Sequence, residues 1–107
     1  MNLPKLIADL VDAQNSHDAL AYVACFSETA VVFDEGRTHR GKAEIRRWIE
    51  NANSQYQTAW KPLKFEESSA ESLLTAEVSG TFPGSPVTLQ FHFVVEDDRI
   101  QSLRVTC

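Results

Sequence analysis

The sequence predicts an α+β domain in which three N-terminal helices pack on a strongly curved antiparallel sheet, forming a cone with an internal pocket. Two observations carry this. Before residue 58, apolar residues recur chiefly at helical spacing, broken once by a β-branched run, whereas from Trp60 onward they alternate with polar residues at period two. The 107 residues also suffice for one core and not two, so residues 1–107 are read as a single domain.

Leu3, Leu6, Ile7, Leu10 and Val11 form an apolar stripe, with Asp9, Asp12 and Gln14 between and beyond them, so a helix is expected from Leu3 to Gln14. Asn2 is its candidate cap, and Pro4 suits a first turn. Asn15-Ser16-His17-Asp18 breaks that pattern, and Ala19, Tyr22, Val23 and Phe26 make a second short stripe that Asp18 can cap. Ala30-Val31-Val32-Phe33 reads as a strand running into a loop at Asp34-Glu35-Gly36. The third and longest helix spans Lys42 to Gln57. Ile45, Trp48, Ile49, Ala52 and Tyr56 mark its buried face, and Glu44, Arg46, Arg47, Glu50 and Asn53 mark its polar one.

Four consecutive antiparallel strands are expected after Trp60. Leu63 and Phe65 alternate first, before the Ser68–Glu71 turn. Leu74, Ala76, Val78, Gly80 and Phe82 share one face of the next strand, up to the turn at Pro83-Gly84-Ser85-Pro86. Leu89, Phe91, Phe93 and Val95 share one face of the third, and Asp97-Asp98 turns the chain into Ile100–Cys107. Trp48, Tyr56, Phe82, Phe91 and Phe93 would then point into the hollow between sheet and third helix.

Composition removes several function classes. Ten basic against fifteen acidic residues give a net charge of -5, which argues against generic nucleic-acid binding. No apolar run approaches a membrane span, and the first residues lack an export signal, so no membrane association and a cytoplasmic location are expected. Cys25 and Cys107 form no disulfide framework, and His17, His39 and His92 fall into no metal-binding spacing, so neither a metal nor a cofactor is expected.

Four stretches in this order resemble the SnoaL-like proteins of the nuclear transport factor 2 fold, also called cystatin-like, the superfamily of ketosteroid isomerase and scytalone dehydratase. They are Asn15–Leu20, Thr29–Asp34, Arg40–Trp48 and Phe91–Val105, and the resemblance that they carry extends over almost the whole chain. The resemblance implies a cone-shaped pocket for a hydrophobic small molecule and a homodimer formed through the outer sheet face. It also implies that Asp34 matches the proton-shuttling carboxylate of ketosteroid isomerase and Trp48 a pocket-wall aromatic. The two oxyanion-hole donors of that enzyme match Leu10 and Leu89 here, which argues against steroid isomerisation. The fold hosts both enzymes and non-catalytic modules.

Asp34 is the leading catalytic candidate, because a carboxyl at the end of a buried strand beside an apolar cavity is desolvated toward a useful base. Its structural alternative is a loop cap before Gly36. His39 can pair with Asp34 for acid and base steps, or lie on the surface between Arg37 and Arg40. Tyr22 and Tyr56 can each donate to a ligand carbonyl or to the backbone. Trp48, Phe82, Phe91 and Phe93 contact a ligand if the hollow is open and are core if it is filled. His92, Glu77 and Arg104 are expected as a structural cluster on the outer face, and Arg37, Arg40, Lys42, Arg46 and Arg47 concentrate positive charge near the start of the third helix.

Overall fold

A computed structural model describes residues 2–107. Helix α1 (Lys5–Asn15) and the short α2 (Ala19–Ala24) lead into β1 (Phe26–Asp34) and β2 (Arg37–Arg40), followed by α3 (Gly41–Tyr56). Strands β3 (Ala59–Glu67), β4 (Ser72–Ser79), β5 (Val87–Glu96) and β6 (Arg99–Thr106) complete the chain. One curved, unclosed six-stranded sheet runs in the order β2-β1-β6-β5-β4-β3. Its neighbours are antiparallel except β1 and β6, which are parallel. The α+β arrangement of three helices on a curved sheet is therefore as expected. No helix among the described residues is long and apolar enough to cross a membrane.

Local chemistry explains most boundaries. Pro4 precedes α1 rather than entering its first turn, and Asn2 does not cap the helix. Asp18 does cap α2, its Oδ1 accepting from the Ala21 amide at 3.0 Å. Phe26 belongs to β1 rather than to α2, and it is fully buried against Tyr22 with ring centroids 5.5 Å apart. The segment after Asp34 is not a loop. Glu35 and Gly36 both take positive φ, 52° and 74°, which makes a two-residue hairpin into β2 and pairs Asp34 with Arg37 and Val32 with His39. Glu44 reaches back to the Arg40 amide at 2.8 Å and so closes the start of α3, while Gln57 ends it in the left-handed region.

Period-two expectations fail wherever a strand is bulged. A register shift between Pro62 and Lys64 changes the phase of β3, so Leu63 and Phe65 do not share a face and Leu63 is exposed. A second shift, at Val94 and Val95, leaves Gln101 of β6 unpaired, so that Val95 pairs with the buried Ile100 although Val95 itself is exposed near the end of β5. Gly80 and Phe82 lie beyond the end of β4, in the bend before β5. Gly80 has a steric reason: a Cβ there would stand 2.5 Å from the Tyr56 carbonyl, which accepts from the Thr81 amide at 2.7 Å. Absence of a side chain thus ties the C-terminal end of α3 to the β4 end of the sheet.

The core fills the space between α1, α2, α3 and the inner sheet face. Leu10, Tyr22, Phe26, Val32, Ile45, Leu74, Phe93, Ile100 and Leu103 have no exposed surface. Two polar residues join them against expectation. Gln14 and Asn53 are buried, and the Gln14 amide donates to Asn53 Oδ1 at 2.9 Å and to Thr58 Oγ1 at 2.7 Å. Thr58 Oγ1 in turn donates to Asn53 Oδ1 at 3.0 Å, so α1, the end of α3 and the start of β3 are fastened by one small network.

Candidate active site

A hollow opens between α3 and the concave sheet face, and Asp34 stands at its edge because of strand alternation. Ala30 and Val32 are buried in β1, and Asp34 follows in the same inward row. From α3, Trp48 Nε1 donates to Asp34 Oδ2 at 3.1 Å. His39, opposite Val32 in the hairpin, lies on the same side, and its ring centroid is 5.7 Å from that of Trp48 at an interplanar angle of 31°. Asp34, His39 and Trp48 all border the hollow. The expected direct pairing of His39 with Asp34 is not among the hydrogen bonds of the described residues; the indole lies between their roles, bonded to one and packed on the other.

Burial pushes the Asp34 carboxyl above its ordinary range, outweighing the Trp48 N–H, which favours the ionised form. Glu35 adds to the rise, and His39 opposes it. The indole engages Oδ2, and the Glu35 backbone N–H also favours the ionised form. A carboxyl raised in this way at the edge of an apolar hollow is suited to removing a proton.

Aromatic and aliphatic side chains form the walls. Trp60 stacks against Phe91 with centroids 4.2 Å apart, and Tyr56 meets Phe82 edge-to-face at 5.9 Å. Val78, Val87, Leu89 and Val105 complete the apolar lining, with Arg37 and Glu35 on the Asp34 side. Four of the six expected ligand contacts, Trp48, Tyr56, Phe82 and Phe91, therefore border the hollow. Phe93 does not. It is fully buried opposite Leu103 and belongs to the core. Tyr22 is also displaced from the wall, packed behind Trp48 and Trp60 at centroid distances of 6.2 and 6.4 Å. Burial raises the Tyr22 phenol, and its hydroxyl has no partner among the described residues.

The outer-face cluster forms, with one member exchanged. His92 and Arg104 are cross-strand partners, but their carboxylate is Glu71, 3.2 Å from His92 Nδ1 and 3.8 Å from Arg104 Nη2. Glu77 pairs instead with Lys61 and Thr88, farther along the sheet. This cluster lies on the convex side, away from Asp34.

Gln14 and Thr58 border the hollow without having been expected there, and Trp60, which the sequence left open between rim and packing, borders it too. For Gln14 a signal exists: it stands four residues after Leu10, on the apolar stripe of α1, just as Asn53 stands four after Ile49 on that of α3.

The SnoaL-like domain family matches residues 7–103. The chain belongs to the SnoaL-like domain family. A crystal structure from Sinorhizobium meliloti, of a protein assigned as a polyketide cyclase, is similar at 38% identity and a TM-score of 0.93, covering 97% of this chain and 95% of that one. A cystatin-fold protein from Novosphingobium aromaticivorans is similar in fold at 18% identity and a TM-score of 0.82, with 96% of each chain covered. A protein with a ketosteroid isomerase-like fold from Catenulispora acidiphila, solved with trimethylamine, superimposes with a TM-score of 0.88 at 15% identity over 99% of this chain and 87% of that one. No curated protein sequence matched.

Proposed function

We propose that this SnoaL-like protein is a cofactor-independent enzyme of the cyclase, isomerase or dehydratase type, acting on a hydrophobic carbonyl compound with Asp34 as general base. The observation that carries this reading is the half-buried Asp34 carboxyl, held through Oδ2 by Trp48 at the edge of an apolar hollow. Similarity to a protein assigned as a polyketide cyclase supports the same class. In the proposed step, the Asp34 carboxylate takes a proton from the carbon next to a carbonyl. The C–H electrons form the enolate, and the Tyr56 hydroxyl and His39 donate to the oxygen that gains charge. The proton then returns at another carbon, or the enolate carbon attacks a second carbonyl and closes a ring, and the alkoxide formed from that carbonyl takes the proton held by Asp34. Trp48, Phe82 and Phe91 supply the apolar contacts.

A second reading is supported by Leu10 and Leu89. These apolar residues stand at the positions that the resemblance aligns with oxyanion-hole donors, as in a pocket that holds a ligand without converting it, or in a dimerisation module with a self-filled cavity. Exchange of the α-protons of 2-tetralone in D2O separates the readings. An enzyme of the proposed class accelerates exchange above the buffer rate. Saturable binding with exchange at the buffer rate would establish the passive pocket instead.

A homodimer through the convex sheet face, acting in the cytoplasm, completes the proposal. Phe33, 42% exposed, stands beside Arg104 and His92 in one cross-strand row on that face, an apolar group among polar ones as at many interfaces. Light scattering at micromolar concentration should give twice the 12.0 kDa mass of the chain. A mass of one chain would remove the dimer.

A further inference from the structure

Charged side chains border the hollow at one end only. Asp34, Glu35 and Arg37, with the titratable His39, all come from the β1–β2 hairpin, whereas α3 and strands β3 to β6 contribute only uncharged groups to it. Arg37 is the cross-strand partner of Asp34, and directly opposed residues of an antiparallel pair project from the same face. Its side chain therefore leaves the sheet on the Asp34 side, and His39, two residues on, shares that face. Of the five basic residues near the start of α3, Arg37 alone borders the hollow. Lys42 lies 3.6 Å from Glu28, and Arg46 lies 3.2 Å from Glu50. Arg37 enters no ion pair among the described residues, although Asp34 and Glu35 belong to the same hairpin.

We propose that Arg37 is a specificity-determining residue that pairs with a carboxylate of the ligand at the mouth of the hollow, so that the substrate is an amphiphilic oxo acid with its apolar body against the aromatic wall and its anionic end at the hairpin. This rests on the reading of the hollow as a carbonyl-substrate site. An ionised group held deeper, among the uncharged walls, would lose its hydration without a countercharge, so the hairpin end is where a ligand charge fits. Arg37 is exposed, and a pair formed there stays partly hydrated, which avoids most of the desolvation cost of a buried ion pair. Its guanidinium fork matches a planar carboxylate through two parallel N–H···O bonds. A phosphate dianion fits less well, because Asp34 and Glu35 border the same end and repel a second negative charge. An ammonium would find Asp34 already engaged by the Trp48 indole and would meet the unpaired Arg37. Because Asp34 and Arg37 are register partners, the carbon that gives up its proton and the carboxylate are read by one hairpin.

Calorimetry on the intact protein with three matched probes tests the inference: 2-naphthylacetate, its neutral amide 2-naphthylacetamide and the cation 2-(2-naphthyl)ethylammonium. At low ionic strength the carboxylate is expected to bind about three- to tenfold tighter than the amide, and the ammonium more weakly than both, with the carboxylate preference shrinking as salt is added. Arg37→Gln should erase the preference, and Arg37→Lys, which keeps the charge but not the fork, should retain part of it. Should Arg37→Gln fail to fold, the parent protein decides the matter through the Arg37 Nε–H resonance, which should shift with the carboxylate and not with the amide. Equal affinities for carboxylate and amide, or a preference that survives Arg37→Gln, would overturn the role of Arg37 and leave the binding hollow standing. Tightest binding of the ammonium would overturn it in favour of Asp34 and Glu35. Binding of none would remove the ligand hollow and this inference together.

Discussion

Asp34→Asn is expected to slow α-proton exchange of 2-tetralone by about 10²- to 10⁴-fold, the usual contribution of a positioned general base, while the affinity for the ketone stays within a few-fold of the parent. The amide keeps an oxygen for Trp48 Nε1 but cannot take the proton. Exchange at the parent rate would end the catalytic role of Asp34. Stability should move the other way. Because burial raises the native carboxyl above its unfolded value, the native state binds more protons between the two values, and stability falls as pH rises through that interval. The parent therefore carries a buried-charge penalty at neutral pH that Asp34→Asn lacks. Thermal melts should find the variant no less stable than the parent at pH 7, with any advantage vanishing below the ordinary aspartate range.

Phe93→Ala should be the most damaging single truncation for the fold. Phe93 has no exposed surface and sits between β4 and β6, opposite Ser72 and Leu103. Removing such a ring typically costs about 3–5 kcal/mol, which for a domain of this size lowers Tm by roughly 15 °C or more. Phe82→Ala makes the contrast. Phe82 is only partly buried, lies in the bend after β4 and borders the hollow against Tyr56, so its loss should weaken 2-tetralone binding by up to about tenfold with a smaller fall in Tm. A Phe93→Ala protein that melts with the parent, or a Phe82→Ala protein that binds as tightly, would break the division between core and ligand wall drawn here.

That division was only partly legible in the sequence, for definite reasons. Helical and strand periodicity identify α1, α3, β4 and most of β5, because each buries one continuous face. They cannot separate Phe91 from Phe93, which alternate onto the same inner face, since curvature of the sheet decides which ring borders the hollow and which enters the core. They fail outright at Leu63, where a bulge inserts one residue into β3 and reverses the phase, and in β6, where Gln101 is the extra residue. The hairpin at Glu35-Gly36 was hidden because β2 is only four residues long and polar, Arg-Thr-His-Arg, with no alternation to reveal it. Yet that strand is what turns His39 toward Trp48.

Polar residues in the core were the other blind spot. Gln14 and Asn53 stand on apolar stripes at a spacing of four from Leu10 and Ile49, but side-chain polarity assigns them to solvent, and only the three-element network with Thr58 explains their burial. Asp34 was identified because its signal is local: an inward-alternating carboxyl at the end of a β-branched run. Its partner Trp48 lies fourteen residues away, and their hydrogen bond is a product of how α3 crosses the sheet.

The environment of one carboxyl decides between base and cap, so the decisive measurement is a pH titration of the Asp34 side-chain carboxyl carbon by NMR in the ligand-free protein. The expected inflection lies above the ordinary aspartate value of about 3.9, displaced further upward in Trp48→Phe, which removes the N–H that favours the ionised form. An inflection at or below the ordinary value would contradict it, because Asp34 would then be a solvated cap on the β1–β2 hairpin and not a base held in an apolar hollow.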